Sequence, residues 1–98
     1  MDLVVVFAKV QPKQGCRDSV IELCEDLIEN TLSEEGNIDY QLLKSINDDT
    51  LTFVEKWKSL EDLQKHMDSP HFQSFGEESA DFVENTDIQI MKASEISL

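Results

Sequence analysis

The chain begins with a run of apolar residues whose spacing fits an extended strand. Successive side chains of a strand point to opposite faces, so alternate residues share a face. One face of residues 3–10 holds Leu3, Val5 and Phe7, and the other holds Val4, Val6, Ala8 and Val10. A strand that is apolar on both faces is typical of a central, doubly covered position in a sheet. Pro12 is predicted to end it.

The spacing of apolar residues becomes helical from about residue 16 to residue 33. They recur there at intervals of three and four, at Val20, Leu23, Cys24, Leu27, Ile28 and Leu32, which predicts an amphipathic helix. Gly36 is positioned to stop it. Residues 38–42 and 51–57 then alternate as strands, and Asn-Asp-Asp-Thr at 47–50 supplies turn residues. Residues 38–57 are therefore predicted to form a β-hairpin.

Two serines in the second half of the chain have the surroundings of helix N-caps. Ser59 is followed by an acid three residues later, which predicts a short helix over 60–68. Ser69 precedes Pro70, a residue favoured at the first helical position. The second helix is expected to carry Phe72, Phe75 and Phe82. A final strand is predicted where Ile88 and Ile90 alternate with Gln89, Met91 and Ala93.

The predicted order of elements is β-α-β-β-α-α-β. This order is typical of the α+β, ferredoxin-like arrangement, with one four-stranded antiparallel sheet and its helices on one face. A length of 98 residues suits one domain spanning 1–98.

The apolar residues on both faces of the first strand indicate how the chain assembles. Helices from one chain cover one face of the sheet, yet this strand is apolar on both. A large uncovered apolar face is unusual for a monomer. We therefore expect a homodimer that packs through the open sheet faces.

The charge balance excludes several classes of partner. The chain has 8 Lys and Arg against 21 Asp and Glu, a formal net charge of −13. Nucleic acids and anionic membrane surfaces are bound by clustered basic residues, so neither partner is expected. The apolar run at residues 3–8 lacks a basic segment before it and is too short to span a bilayer. The expected location is therefore cytoplasmic. Most of the acid excess falls in the helical segments 13–36 and 59–87.

No sequence motif for a cofactor or a metal is present. Cys16 and Cys24 would lie about 12 Å apart along one helix, which is too far for a disulfide. Cys24 is instead expected in the core. The chain has no glycine-rich phosphate loop, no Cys-x-x-Cys and no His-x-x-x-His. We therefore expect neither a bound nucleotide or flavin nor a metal.

One carboxylate occupies an unusual position in the third strand. Glu55 shares a strand face with Phe53 and Trp57, so a buried carboxylate there would need a partner. His66, on the helix that follows, is the nearest candidate in sequence. A Glu55–His66 pair is therefore a hypothesis for a proton-transfer site. In the alternative, Glu55 lies on a solvated face beside the neighbouring lysines.

Aromatic residues are expected around this pair. Trp57, Phe72 and Phe75 would border a pocket, although each fits a packed core equally well. Tyr40 points either to the pocket or to the dimer interface. His66 can also be a purely structural histidine, and His71 is expected to be exposed and structural.

At these residues the chain resembles the antibiotic biosynthesis monooxygenase family. Residues 53–57 match the family's E-x-W strand, and residues 63–72 match its H-x-x-[ST]-x-[HF]-F helix junction. Residues 35–42 resemble the E-x-G-x-x-x-Y pattern at the start of the second strand. The resemblance implies a dimeric α/β barrel, with two sheets packed face to face. It also implies oxidation of quinols or polyketide aromatics by O₂ without a metal or flavin, although other members degrade haem or isomerise a phosphorylated sugar derivative.

The sequence therefore favours an enzyme, a cofactor-independent monooxygenase acting on a small hydrophobic or aromatic molecule. His66 would be the base and Glu55 its orienting partner. The substrate pocket would comprise Trp57, Phe53, Phe72, Phe75 and Tyr40. Two alternatives remain open: a non-catalytic dimeric module that binds a hydrophobic small molecule, and an isomerase. The isomerase is disfavoured because Lys65 is the only basic residue between 59 and 87.

Overall fold

A computed structural model describes residues 2–98 as one four-stranded antiparallel sheet with its helices on one face. The strands are β1 (Asp2–Pro12), β2 (Asn37–Lys44), β3 (Leu51–Trp57) and β4 (Val83–Ser94). The helices are α1 (Arg17–Leu32), α2 (Leu60–Met67) and α3 (Pro70–Ser79), followed by a 3₁₀ turn over Ala80–Phe82. The strand order is β2-β3-β1-β4, with β1 paired to both β3 and β4. The predicted ferredoxin-like α+β fold and the 38–57 hairpin are confirmed.

The helix starts follow the capping signals in the sequence. The Ser59 hydroxyl accepts a hydrogen bond from the Asp62 backbone N–H at 3.1 Å. The Ser69 hydroxyl accepts from the Phe72 backbone N–H at 3.3 Å, and Pro70 occupies the first turn. Each cap satisfies a backbone donor that the helix itself leaves free. The two caps place α2 and α3 as separate helices that meet at residues 68–69.

Two boundaries differ from the sequence prediction. The helix that was predicted to start at Pro70 is α3, and it ends at Ser79. Phe82 therefore lies in the 3₁₀ turn rather than on α3. The last strand begins at Val83, five positions before Ile88. Residues 83–87 are mostly polar and exposed, and their extended form follows from pairing with β1 rather than from apolar alternation. The core lies between the sheet and the helices, and it includes Val6, Trp57 and Cys24. Cys24 is fully buried, as predicted.

The opposite face of the sheet carries an apolar strip without a helix above it. The strand registers place Val54 and Met91 beside the β1 residues Phe7 and Val5 on this face. Each of these side chains retains some exposure, and Met91 is 38% exposed. We call this surface the open sheet face. Among the described residues, no helix is both long and apolar enough to cross a membrane.

Gly36, in the turn before β2, lies against the first turn of α2. A Cβ at this position would overlap the side chain of Asp62, which hydrogen-bonds to the Ser59 hydroxyl at 2.9 Å. Gly36→Ala is therefore expected to lower the free energy of unfolding by about 1–3 kcal/mol, as overpacking does. Gly76→Ala is a matched control, since a Cβ there meets nothing within 4 Å.

Urea denaturation of both variants checks this prediction. Gly76→Ala is expected to stabilise the chain by up to about 1 kcal/mol, because alanine is the better helix former. If Gly36→Ala is as stable as the unaltered chain, the close approach of the turn to α2 is not what requires glycine.

Candidate functional site

A cavity of about 480 Å³ lies between the sheet and the α2–α3 layer. Most of its lining is apolar, and the polar side chains of Tyr40, Glu55, His66 and Ser79 also border it. At its mouth lie the exposed β4 residues Ile88 and Ile90, on the helix side of the sheet. This volume is typical of sites that hold a small organic molecule. No Lys or Arg of the described residues lines it.

His66 is the most buried polar side chain of the cavity, with 1% of its surface exposed. Its Nδ1 lies 2.7 Å from Oε2 of Glu34. A carboxylate only accepts hydrogen bonds, so this contact assigns a proton to Nδ1. In the neutral ring Nε2 then holds a free lone pair. Nε2 is buried and has no hydrogen-bond partner among residues 2–98.

Glu34 joins His66 to a second histidine. It lies in the turn between α1 and β2, and the same Oε2 accepts a hydrogen bond from Nε2 of His71 at 2.8 Å. His71 belongs to the first turn of α3, and its side chain is 19% exposed. One carboxylate therefore orients two imidazoles, one buried in the cavity wall and one at the protein surface. The ligand atoms of the three side chains lie within 4.8 Å of one another, so a metal ion could also bridge them.

The hypothesis that Glu55 pairs with His66 is wrong. Glu55 accepts a hydrogen bond from the indole N–H of Trp57, with 3.0 Å between Oε1 and Nε1. The two residues are two positions apart on β3 and therefore share a face. The alternative of a solvated Glu55 is also wrong, because the residue is only 5% exposed. Glu55 and His66 border the same cavity, each with a different partner.

Burial sets the protonation preferences of the buried polar groups. It raises the pKa of Glu55 to about 7, which the hydrogen bond from Trp57 partly opposes and the negative charge of Glu34 reinforces. Burial lowers the pKa of His66, against the opposing effect of Glu34. Burial also raises the pKa of the Tyr40 phenol above its usual range. The cavity therefore favours neutral forms of all three groups.

The structure brings four of the five expected aromatic residues to the cavity wall. Tyr40, Phe53, Phe72 and Phe75 line it. Trp57 is fully buried and does not reach the cavity. Its ring instead packs against the His66 imidazole, with 4.6 Å between ring centroids. Trp57 therefore contacts two polar residues of the wall, because it packs on His66 and donates to Glu55.

Glu34 and His71 were missed as site residues. His71 was expected to be exposed and structural, whereas it is half-buried and hydrogen-bonded to Glu34. The E-x-G-x-x-x-Y pattern does contain a signal for Glu34, since its acid stands two residues before Gly36. Nothing in the spacing alone connects that acid to His66.

Comparison with known proteins agrees with the fold. The family model of the antibiotic biosynthesis monooxygenases matches residues 3–78. The chain is 29% identical over 74 residues to "Putative monooxygenase YcnE" of Bacillus subtilis, covering 74% of this chain and 78% of the relative. It is 24% identical over 98 residues to "Probable quinol monooxygenase YgiN" of Escherichia coli, covering 91% and 94% of the two chains.

A solved structure is also similar throughout the fold. The crystal structure of a conserved protein from Methanosarcina mazei superposes with a TM-score of 0.88 at 34% identity, covering 93% of this chain and 92% of that one. The match of the family model spans well over half of the chain, from within β1 into α3, and it includes Glu34, Glu55, His66 and His71. The chain therefore belongs to the antibiotic biosynthesis monooxygenase family.

Proposed function

We propose that the protein is a monooxygenase that oxidises a small hydroquinone or related phenol with O₂, using His66 as the base. The observation that carries this proposal is the unpartnered Nε2 of a buried histidine whose Nδ1 is fixed by Glu34. A carboxylate at Nδ1 selects the tautomer with a free Nε2 and stabilises the imidazolium that forms when Nε2 accepts a proton. General-base catalysis requires both effects.

The lining of the cavity supports a neutral aromatic substrate. Phe53, Phe72 and Phe75 offer apolar ring surfaces, and the cavity volume of about 480 Å³ suits a molecule of one or two rings. A phosphorylated ligand is disfavoured, because no basic side chain among the described residues lines the wall while Glu55 and Glu84 do. This argument weighs against the isomerase alternative.

The reaction needs no external reductant. His66 removes the phenolic proton at Nε2, which leaves an electron-rich anion that reacts with O₂. One oxygen atom then forms a bond to a ring carbon and the other leaves as water, so a hydroquinone and O₂ give a hydroxyquinone and water. The substrate supplies all four electrons that the reduction of O₂ requires. The protein contributes a site that orients the ring, accepts the proton and limits access of water.

An oxygen-electrode assay with a panel of benzo- and naphthohydroquinones tests the proposal. Oxygen uptake above the autoxidation rate is expected for at least one of them, with one atom of ¹⁸O₂ appearing in the product. If the panel binds in the cavity but no member is consumed faster than in buffer, the protein is a binding module instead.

We also propose that two copies pack through their open sheet faces. Val5 and Phe7 lie in the centre of this face, and β1 is flanked there by Val54 and Met91 on its neighbours. Burying such an apolar strip against a second copy removes it from water, which is the main favourable term in most association. The sheets of the two copies would then form the closed barrel that the family resemblance implies.

Val5→Glu is expected to convert the dimer to a monomer, because it buries an unpaired carboxylate in the centre of the interface. Size-exclusion chromatography with light scattering at micromolar concentration measures the change. Gln64→Glu adds the same charge on the exposed side of α2 and is expected to leave the dimer intact. A monomeric unaltered chain, or a dimeric Val5→Glu variant, would show that the open sheet face is not the interface.

A further inference from the structure

We infer that Glu34, His66 and His71 together form a binding site for a divalent first-row transition-metal ion such as Zn²⁺ or Co²⁺. One ligand atom from each of these side chains lies within 4.8 Å of the other two, and Nδ1 of His66 and Nε2 of His71 both contact Oε2 of Glu34. The three ligands come from three separate parts of the fold: the turn after α1, helix α2 and the first turn of α3. Such convergence from distant parts of a chain is more specific than a local cluster of acids.

The distances allow a metal ion after a small adjustment. Ligand atoms of a tetrahedral zinc site lie about 3.3 Å apart, given metal–ligand bonds of about 2.0–2.1 Å. The two histidine nitrogens lie 2.7 and 2.8 Å from the shared carboxylate oxygen. A cation therefore replaces the two protons if each nitrogen moves about half an ångström away from the carboxylate oxygen. The two nitrogens, which lie within 4.8 Å of each other, would settle about 3.3 Å apart. Glu34 and His71 are partly exposed, at 18% and 19%, so they can make this movement.

The ligand set indicates which class of metal would bind. Two imidazole nitrogens and one carboxylate suit zinc, cobalt, nickel, copper and ferrous iron, whereas calcium and magnesium prefer oxygen ligands. Three protein ligands leave at least one coordination position for water or another small ligand.

A groove between α1 and α3 supplies a route to the site. It has a volume of about 670 Å³, and His71 is part of its wall. Glu22, Asp26 and Glu78 also line it, and no Lys or Arg of the described residues does. A cleft lined by charges of one sign concentrates ions of the opposite sign. The acidic groove therefore favours cations at the surface of the cluster.

A metal ion in the site would change whether Nε2 of His66 accepts or donates a hydrogen bond in the cavity. A metal on Nδ1 leaves the ring proton on Nε2, and metal-bound histidines commonly donate this proton to an acceptor. Nε2 has no such acceptor within residues 2–98, so a ligand in the cavity would supply it. The cation would thus convert His66 from a proton acceptor to a donor. This consequence, unlike the binding itself, rests on the proposed function, and it predicts inhibition by the metal.

The binding test uses the full chain, first treated with a chelator, and then titrated with Co²⁺ and Zn²⁺. One equivalent of Co²⁺ per chain is expected to produce visible absorption bands, and Zn²⁺ is expected to shift the ring resonances of both histidines in NMR spectra. His71→Ala is expected to weaken binding by at least about 100-fold, since loss of even an outer partner of a metal ligand costs 10- to 100-fold.

A control variant and a second ligand variant keep the outcome decisive. Glu35→Gln removes the neighbouring exposed carboxylate and is expected to bind cobalt normally. Binding that persists in both His71→Ala and Glu34→Gln, or a thiolate-to-cobalt charge-transfer band, would place the ion elsewhere and overturn the inference. So would the absence of binding at millimolar metal. These measurements need no turnover, so a failure of the proposed reaction and a failure of this site are distinguishable.

Discussion

Replacing His66 with alanine is expected to slow hydroquinone oxidation by about 100- to 10,000-fold, the usual contribution of a positioned general base. The expectation follows from the tautomer that Glu34 imposes. With Nδ1 held 2.7 Å from the carboxylate, Nε2 is the only ring atom left to accept a proton. Initial rates of oxygen uptake, corrected for autoxidation, provide the measurement.

His66 is fully buried, so the alanine variant leaves a space beside Trp57 and needs a companion. His66→Asn retains an amide that can donate to Glu34 but has no basic nitrogen, and it is expected to be equally slow. Lys65→Ala, one residue earlier on the exposed side of α2, is the matched control and is expected to keep the full rate. A His66→Asn variant that folds and turns over like the unaltered chain would remove His66 from the mechanism.

Local patterns predicted most of the fold. The helix of residues 17–32 follows from its three–four spacing, and the starts of α2 and α3 follow from Ser59 and Ser69. Each of these signals lies within a few residues of the structure it specifies. The start of β4 was missed because residues 83–87 carry no such signal and become a strand by pairing with β1.

The site was harder to predict than the fold, because its contacts join residues distant in sequence. His66 and Glu55 were placed in one cavity correctly, since a strand and the helix that follows it are neighbours. The partner of His66 lies 32 residues away, and the link from that partner to His71 spans 37 residues. Only the packing of the turn after α1 against α2 and α3 brings them together. The pairing of Glu55 with Trp57, by contrast, could have been predicted, because residues two positions apart on a strand share a face.

Two polar residues of the cavity wall, His66 and Glu55, belong to pairs with different chemistry. The His66–Glu34 pair reaches the surface through His71, so its charge is partly solvated. The Glu55–Trp57 pair is enclosed, and its carboxyl group has no cationic partner among the described residues. A carboxylate stripped of water without a counter-ion is destabilised, whereas its protonated form is tolerated. Glu55 should therefore carry its proton in the folded protein under conditions where an exposed glutamate would not.

This difference makes the stability of the fold depend on pH through Glu55. Its pKa is about 7 in the folded protein, against 4.5 for an ordinary glutamate. Between these two values the folded state binds one proton more than the unfolded state, so the free energy of unfolding falls as pH rises. The contribution of Glu55 to the free energy of unfolding is fully present below about pH 4.5 and is lost above about pH 7. Its size is about 3 kcal/mol, from 1.36 kcal/mol for each pKa unit.

Glu55→Gln is expected to abolish this part of the pH dependence, because an amide can accept from the Trp57 N–H but does not ionise. The quantity to measure is the free energy of unfolding of the unaltered chain minus that of the variant, by urea denaturation at fixed protein concentration from pH 4.5 to 8. The difference should fall by about 3 kcal/mol over this range. Glu77→Gln, which removes an exposed carboxylate of α3, should give a nearly constant difference. A flat profile for Glu55→Gln would mean that water reaches the Glu55 carboxylate, and the cavity would then be too wet to favour the neutral acid.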